Sequence, residues 1–209
     1  NTNYNEVFEY DGTNWSEGGD LNTARGMGAN FGTQTAGLFG GGGNFGGSSS
    51  VEAEVEEYNG TSWTEVTNLP NATRNNASFG TQTAGVVTQG KISPNGAWPG
   101  TNTNVTFEYD GTNWTAAAAG LVTGPAGDGV GTQTDGGTCG NNGGIYQRYD
   151  GTSWITDART ASNGGSRGTS GTAAAAIAFA GFDDPTVMVA TEEFTTGSTA
   201  LNLKTITDS

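Results

Sequence analysis

Acidic side chains are the groups of this sequence that offer chemistry, since histidine, the commonest general base, is absent. Adjacent carboxylates occur at Glu56-Glu57 and Asp183-Asp184, and a glycan hydrolase or lyase would use two carboxylates as acid and base. Neighbouring residues of a strand point to opposite faces, so Glu56 and Glu57 do not converge on one substrate. Asp183-Asp184 lacks the EF-hand spacing of a Ca²⁺ loop, and we interpret it as a solvated loop. We therefore expect no catalytic residue and no metal site.

The single cysteine, Cys139, also offers little chemistry. It cannot form an intrachain disulfide, and it lies among Gly and Thr residues without a neighbouring Lys or Arg that would activate the thiol. We expect a small buried side chain. No cofactor is expected either.

The charge balance excludes two classes of partner. The 209 residues carry a formal net charge of −14, and an acidic surface repels the phosphates of nucleic acids. The same charge argues against a polybasic mode of membrane binding. The longest apolar runs extend over only a few residues, so we expect no membrane insertion.

The elements that position these groups are set by a seven-residue motif, Glu-Tyr-Asp-Gly-Thr-Asn-Trp, which recurs with small changes. Asp-Gly or Asn-Gly between apolar residues is a strong hairpin signal because these residues accept positive φ at low cost. We predict two strands in each copy, with the Tyr ending the first strand and the Trp beginning the second. Aromatics that recur once per unit are expected to pack between sheets. The copies, including a degenerate fifth one, are Glu9–Trp15, Glu57–Trp63, Glu108–Trp114, Arg148–Trp154 and Glu193–Gly197.

A second motif, Gly-Thr-Gln-Thr, begins at Gly32, Gly80 and Gly131, with a degenerate copy at Gly171. We interpret it as a second hairpin in each repeat. Each Trp precedes the next copy of this Gly by 17 residues, whereas the step from that Gly to the next aromatic varies from 18 to 29 residues. A full period of 40 to 51 residues is the range of four-stranded propeller blades.

The variable step marks the candidate binding loops. We label the strands around Gly-Thr-Gln-Thr A and B, and those around Asp-Gly C and D. Turns of a meander alternate between its ends, so the variable B–C connections lie opposite both motifs, where recognition usually sits. These connections are Gly40–Ser50, Gly90–Thr103, Gly140–Gly144 and Gly181–Pro185. The residues that we expect to contact a ligand are Asn44, Phe45, Lys91, Asn95, Trp98, Asn141, Asn142 and Asp183.

Among these candidates Trp98 is the most specific. It is the one Trp outside the Tyr–Trp repeat, and it lies in the longest insert, between Pro94 and Pro99. An exposed Trp there would stack on a sugar or anchor a partner subunit. The alternative is a loop that folds its own Trp onto the end of the sheet.

The whole pattern resembles Kelch repeats, which have an Arg before strand A, a Gly-Gly after strand B and a spaced Tyr–Trp pair. Arg25 and Arg74 match the first feature, and Gly40-Gly41 and Gly136-Gly137 approximate the second. The last repeat lacks its Trp, and Gly-Gly is missing at Gly90. The resemblance implies an all-β, Kelch-like β-propeller of four-stranded antiparallel blades, with four full repeats and an extra N-terminal hairpin. One domain, 1–209, would hold repeats at about 1–19 (partial), 20–67, 68–118, 119–158 and 159–209.

The exact amino-acid sequences of the motifs are similar to those of Kelch-like proteins of marine bacteriophages. Galactose-oxidase-like propellers use a copper held partly by His, and sialidase Asp-boxes separate the Asp from the Gly, so neither enzyme class matches. The resemblance implies a non-enzymatic virion module, extracellular, on a tail or head fibre or as a decoration protein. Expected partners are other virion subunits, further copies of the chain, and a host-surface glycan or protein. Two alternatives stay open: a glycan-active enzyme using loop carboxylates, and a purely structural subunit that self-assembles.

Counting hairpins gives five C–D pairs but only four A–B pairs, so residues 1–19 form a C–D pair without its A–B pair. An isolated hairpin is marginal in water, and its free edge invites pairing. We predict that protein covers this edge. The cover would be an upstream A–B pair, a C-terminal strand near Leu201–Leu203, or a neighbouring subunit.

Overall fold

The structure, a computed structural model, describes residues 4–44, 50–97, 99–124, 128–139, 144–159, 167–183, 186–187 and 191–195, with backbone alone at 158–159, 182–183 and 186–187. The described residues form antiparallel strands and contain no helix, which confirms the all-β fold class. They accordingly include no helix long and apolar enough to cross a bilayer.

In chain order the strands are β1 (Phe8–Tyr10), β2 (Trp15–Glu17), β3 (Ala29–Thr33), β4 (Ala36–Gly40), β5 (Gly43–Asn44), β6 (Ser50–Val51), β7 (Val55–Tyr58), β8 (Trp63–Val66), β9 (Ala72–Arg74), β10 (Ala77–Thr81), β11 (Ala84–Thr88), β12 (Lys91–Ser93), β13 (Thr101–Asn102), β14 (Thr106–Tyr109), β15 (Trp114–Ala117), β16 (Gly129–Thr132), β17 (Asp135–Thr138), β18 (Ile145–Tyr149), β19 (Trp154–Arg159), β20 (Gly168–Thr172), β21 (Ala175–Phe179), β22 (Phe182–Asp183), β23 (Thr186–Val187) and β24 (Thr191–Thr195).

Most of these strands form repeated sheets. Sheet 1 has the order β3-β4-β7-β8, sheet 2 β10-β11-β14-β15 and sheet 3 β16-β17-β18-β19. Sheet 4 comprises β20-β21-β24 in the described residues, and β1-β2 form the N-terminal hairpin. In sheets 1 to 3 Gly-Thr-Gln-Thr joins the first two strands and the aromatic motif joins the last two, so the predicted A–B–C–D order is confirmed.

The A–B turn requires the Gly that begins its motif. Thr33 pairs with Ala36 around Gln34-Thr35, and Gly32 has a φ of 110°. A Cβ on Gly32 would lie 2.2 Å from the carbonyl oxygen of Ala36. A side chain is therefore excluded by backbone conformation and by space, and the corresponding glycines repeat the positive φ: Gly80, Gly131 and Gly171.

The aromatic turn forms where it was predicted, but its Asp acts differently from the expectation. Only Gly12 has a positive φ in the first copy, at 94°. Asp11 instead accepts hydrogen bonds at Oδ1 from the backbone N–H groups of Thr13 and Asn14, both at 2.7 Å. The expectation of positive φ was wrong for the Asp because its side chain, rather than its backbone, closes the turn. The same contacts recur at Asn59, Asp110 and Asp150.

The core lies between successive sheets. One buried cluster joins Leu38 and Val55 of sheet 1 to Phe107 and Tyr109 of sheet 2, and further clusters join sheets 2 and 3 and sheets 3 and 4. The first strands β3, β10, β16 and β20 lie beside one another in succession. Each sheet is therefore stabilised largely by its neighbours.

The structure corrects the positions that were assigned from the sequence to the Gly-Gly pair after strand B. The residues with positive φ are Gly41-Gly42 in sheet 1, one position after the proposed Gly40-Gly41, and Gly136-Gly137 lies inside β17. Sheet 2 keeps the same backbone at Gln89-Gly90, with φ of 59° and 86°. The buried Gln89 donates through Nε2 to Val122 O at 3.1 Å. The missing Gly-Gly at Gly90 therefore leaves this geometry intact.

The N-terminal hairpin is open on one side. Among the described residues β1 pairs only with β2, and Phe8, Tyr10 and Trp15 are 58%, 47% and 69% exposed. The expected cover is thus absent from the described part of the single chain. Leu201–Leu203, one of the proposed covers, lies outside the described residues.

Candidate functional site

The B–C connections fold into short strands of their own, where the sequence predicted only loops. β5 pairs with β6 in sheet 1's connection, and β12 pairs with β13 in sheet 2's connection. β12 also pairs with β9, which belongs to the D–A connection that precedes sheet 2. The B–C and D–A connections therefore share one end, as predicted. We call this surface the loop layer and define it as residues 41–44, 50–54, 72–74, 91–97 and 99–102.

The loop layer is continuous across sheets 1 and 2. Ser50 bridges to Ala97, and the N–H of Val51 donates to Gly96 O at 2.9 Å. The N–H of Gly42 donates to Thr73 O at 2.8 Å. These contacts fix the positions of two different connections relative to each other. Separate flexible loops would lack such contacts.

A buried arginine attaches the layer to sheet 1. Arg25 donates through Nε to Gly41 O at 3.0 Å and forms an ion pair through Nη1 with Glu56 Oε1 at 2.5 Å. The other carboxylate oxygen of Glu56 accepts two hydrogen bonds from Asn22. Arg25 thus links the Gly41 backbone of the loop layer to the buried carboxylate of Glu56 in β7.

A second buried arginine holds the insert that contains position 98. Arg74 donates from Nε and Nη2 to Pro99 O, at 3.1 Å and 2.9 Å. Ala97 is held from the other side by its bridge to Ser50. Trp98 itself lies outside the described residues, but both of its neighbours are anchored to the loop layer.

The sequence analysis missed a third arginine of this kind. Arg167 is buried just before β20 and pairs with Glu192 at 3.3 Å. Glu192 occupies the same place before Phe194 as Glu56 does before Tyr58. An Arg preceding strand A, with a Glu two residues before the aromatic of strand C, was the available signal.

Three of the eight predicted contact residues lie in the loop layer. Asn44 is half-buried in β5, opposite Ser50, and Lys91 is half-buried in β12, opposite Arg74. Asn95 is exposed in the turn after β12. The backbone of Asp183 lies in β22, which pairs with β23, but its side chain is outside the description. The predicted contacts outside the described residues are Phe45, Trp98, Asn141 and Asn142.

Glu56 and Glu57 diverge, as predicted from their position on one strand. Glu56 pairs with Arg25, whereas Glu57 accepts a hydrogen bond from the hydroxyl of Tyr109 at 2.9 Å. Cys139 is also buried as expected, and burial raises its pKa to about 11. A thiol with that pKa is protonated at neutral pH and is a poor nucleophile.

One loop-layer carboxyl, Glu54, was not singled out from the sequence. Burial raises its pKa, and the charge of Glu52 adds to the increase. Its Oε2 has no hydrogen-bond partner among the described atoms. Within the same described residues, no three His, Cys, Asp or Glu side chains are grouped as metal ligands would be.

Neither a scan against protein-family models nor a search of curated proteins finds a match to this chain.

Proposed function

We propose that this chain is a non-enzymatic recognition module of a bacteriophage virion, located outside the cell. In this proposal the loop layer binds a host-surface glycan or protein, or another virion subunit. The loop layer supports the proposal because buried Arg25 anchors its variable connections to sheet 1, and buried Arg74 of β9 holds the longest insert within the layer through Pro99 O. A fixed scaffold with variable loops is typical of binding proteins.

We further propose that the repeated sheets are Kelch-like blades of a β-propeller. Their first strands lie side by side, and equivalent residues of all four line one cavity of about 260 Å³. Blades arranged around an axis would place equivalent residues at a common centre. The lining residues are Asn30–Gly32, Ser78–Gly80, Gly129–Gly131 and Thr169–Gly171.

Binding rather than catalysis is favoured by how the scaffold uses its carboxylates. Glu56 and Glu192 pair with buried arginines, and Glu57 and Glu108 accept hydrogen bonds from tyrosines. These groups are already engaged within the protein. The loop layer contributes amide side chains such as the exposed Asn95, which suit the hydroxyl groups of a sugar.

The test is retention of the purified chain on immobilised host-surface polysaccharide. We expect wild type to bind and Trp98→Ala to bind at least about tenfold more weakly, because a central aromatic commonly contributes about 2 kcal/mol or more. Thr35→Ala, at the opposite end of sheet 1, is the control and should bind normally. If Trp98→Ala left polysaccharide binding, host adsorption and particle assembly all unchanged, the role assigned to Trp98 would be wrong.

Glu54 is the observation that favours the enzymatic alternative, because a carboxyl with a raised pKa suits a general acid. The discriminating measurement is release of reducing ends from the same polysaccharide over many turnovers. The binding proposal predicts no sustained release. Sustained release by wild type and by Glu65→Gln, but not by Glu54→Gln, would replace it with a glycan-active enzyme.

A further inference from the structure

The described sheets are joined by a ladder of hydrogen bonds between side chains of the aromatic motif. The Tyr hydroxyl of one sheet donates to the Glu that precedes the Tyr of the sheet before it. Tyr109 reaches Glu57 Oε1 at 2.9 Å, and Tyr149 reaches Glu108 Oε1 at 3.0 Å. Tyr58 donates in the same way to Glu9 of the N-terminal hairpin. The second and third motifs therefore each accept a hydrogen bond from the next sheet and donate one towards the previous motif.

Two further contacts run in the same direction. The Gln of each complete Gly-Thr-Gln-Thr turn donates through Nε2 to the carbonyl oxygen of the previous Tyr. The indole N–H of two Trp residues donates to a backbone oxygen just after strand D of the previous sheet. The Gln contacts are Gln34 to Tyr10 (3.2 Å), Gln82 to Tyr58 (2.8 Å) and Gln133 to Tyr109 (3.0 Å). The Trp contacts are Trp114 to Thr67 (3.0 Å) and Trp154 to Ala118 (2.9 Å).

Among the described junctions, the one between sheets 3 and 4 lacks the Tyr–Glu bond, and both its donor and its acceptor are replaced. Arg148 replaces the Glu of the fourth motif, and Phe194 replaces the Tyr that would donate to it. Arg148 pairs instead with Asp135 and Asp157, and the Phe194 ring lies 4.3 Å from that of Tyr146. At each described junction the donor and the acceptor are thus either both present or both replaced, which indicates that the two residues act as a pair.

The ladder is open at both ends of the described chain. At the N-terminal hairpin, the Tyr10 hydroxyl has no hydrogen-bond partner among the described residues, and the side chains of Tyr10 and Trp15 are exposed. At sheet 4, Glu193 stands where Glu9, Glu57 and Glu108 stand in their motifs, and it is exposed. One end thus presents an unused tyrosine donor, and the other presents an unused acceptor.

We propose that these ends bind each other between two copies of the chain, with Tyr10 of one copy donating to Glu193 of the next. The hairpin of one copy would then pack on β24 of the other, as sheet 2 packs on sheet 1. The complementarity is specific because each copy carries one donor end and one acceptor end. Such a head-to-tail interface closes into a ring or continues as a filament, depending on the angle between copies.

Aromatic burial would supply most of the association energy. Phe8, Tyr10 and Trp15 are the exposed aromatics of the hairpin, and aromatic anchors commonly dominate interfaces. The net charge of −14 opposes the approach of two copies. Added salt screens that repulsion, so association should strengthen between low and moderate ionic strength.

Sedimentation velocity of the 209-residue chain over a range of concentrations tests the association. We expect a concentration-dependent oligomer that weakens at least about tenfold in Trp15→Ala and several-fold in Tyr10→Phe and Glu193→Gln, in proportion to the contacts removed. Tyr4→Phe and Glu17→Gln change exposed residues at or near the hairpin and should associate like wild type. A chain that stays monomeric at every concentration and salt level would overturn the proposal.

Cross-linking between two different single-cysteine chains identifies the contact. In a Cys139→Ala background, Tyr10→Cys and Glu193→Cys chains are mixed and treated with a short bis-maleimide. A chain carrying both Glu57→Cys and Tyr109→Cys is the positive control, because that pair is in contact within the structure. We expect mixed dimers from the two variants and none from either variant alone.

Two cross-linking results contradict the proposal. One is the absence of mixed dimers while the positive control reacts. The other is a cross-link within single chains that carry both Tyr10→Cys and Glu193→Cys, which would mean that the chain closes on itself. The proposed polysaccharide-binding surface is separate, so Tyr10→Phe should retain polysaccharide binding, and either proposal can fail without the other.

Discussion

The first and third copies of the aromatic motif have identical sequences, Glu9–Trp15 and Glu108–Trp114, but opposite surroundings. Their local geometry agrees: the Tyr and Trp rings lie 5.1 Å and 4.7 Å apart, tilted by 35° and 31°. The turn Asp accepts the same two backbone hydrogen bonds in both copies. Nevertheless, Tyr10 is 47% exposed and Tyr109 only 1%.

The difference comes from neighbours rather than from the motif. β14 has β11 on one side and β15 on the other, and Tyr109 packs in the cluster shared with sheet 1. β1 has only β2 and no preceding sheet among the described residues. Seven residues are thus sufficient to specify a hairpin. Whether that hairpin is buried depends on an A–B strand pair beside it and on a preceding sheet that packs against it.

The largest expected contrast is between Tyr109→Ala and Tyr10→Ala. Removing a buried aromatic leaves a cavity and typically costs about 3–5 kcal/mol, whereas an exposed site typically costs less than about 1 kcal/mol. Urea unfolding followed by fluorescence would measure both free energies. Equal losses for the two variants would mean that the hairpin is as well packed as sheet 2.

Tyr109→Phe and Tyr10→Phe isolate the hydroxyl groups. Tyr109→Phe removes the hydrogen bond to Glu57 and should cost about 1–3 kcal/mol, because the Glu57 carboxyl loses its donor, whereas Tyr10→Phe should be neutral in the monomer. The same urea measurement at low protein concentration applies. The bond would have no stabilising role if Tyr109→Phe were neutral while Tyr109→Ala was costly.

Alkaline pH tests the same tyrosine without truncating its ring. Burial, followed by the hydrogen bond to Glu57, raises the pKa of Tyr109. A raised folded-state pKa favours the neutral phenol, so this stabilisation is complete below about pH 10 and is lost as the pH rises further. The melting temperature of wild type should therefore fall more steeply above about pH 10 than that of Tyr109→Phe. If the melting temperatures of wild type and Tyr109→Phe fell equally steeply above about pH 10, Tyr109 would not be the group responsible.

The smallest expected effect concerns the turns, whose hydrogen bonds are the same in both copies. Hydrogen bonds from the backbone of Asn14 and Asn113 lower the pKa of Asp11 and Asp110 respectively. Lowered pKa values give stabilisation that is present above the unfolded-state pKa, about 3.9, and is lost as the pH falls through the folded-state pKa. Asp110→Asn should reduce the acid sensitivity of the melting temperature slightly, since the second copy already uses Asn59. An acid sensitivity equal to that of wild type would exclude this contribution.

Repetition explains how much of the fold the sequence could predict. Constant spacing from Trp15 to Gly32 and its equivalents identified the strand order and the end that carries the variable connections. The strands of the loop layer could not be predicted, because β5, β6, β12 and β13 are too short for a periodic pattern. The Tyr–Glu bonds were also missed, since they depend on which faces of successive sheets meet. Of the predicted contact residues, Asn44, Lys91 and Asn95 lie in the loop layer, and the role of each as a ligand contact stays a prediction.

Hydrogen exchange of the two identical segments tests most directly whether neighbours, not sequence, determine protection. Residues 9–15 and 108–114 have the same sequence, so their intrinsic exchange rates are nearly equal. Each segment therefore serves as the control for the other. At low protein concentration, where the proposed contact between copies is absent, we predict that 9–15 exchanges much faster than 108–114. Raising the concentration should slow exchange in 9–15 alone. Equal protection of both segments in the monomer would contradict the account.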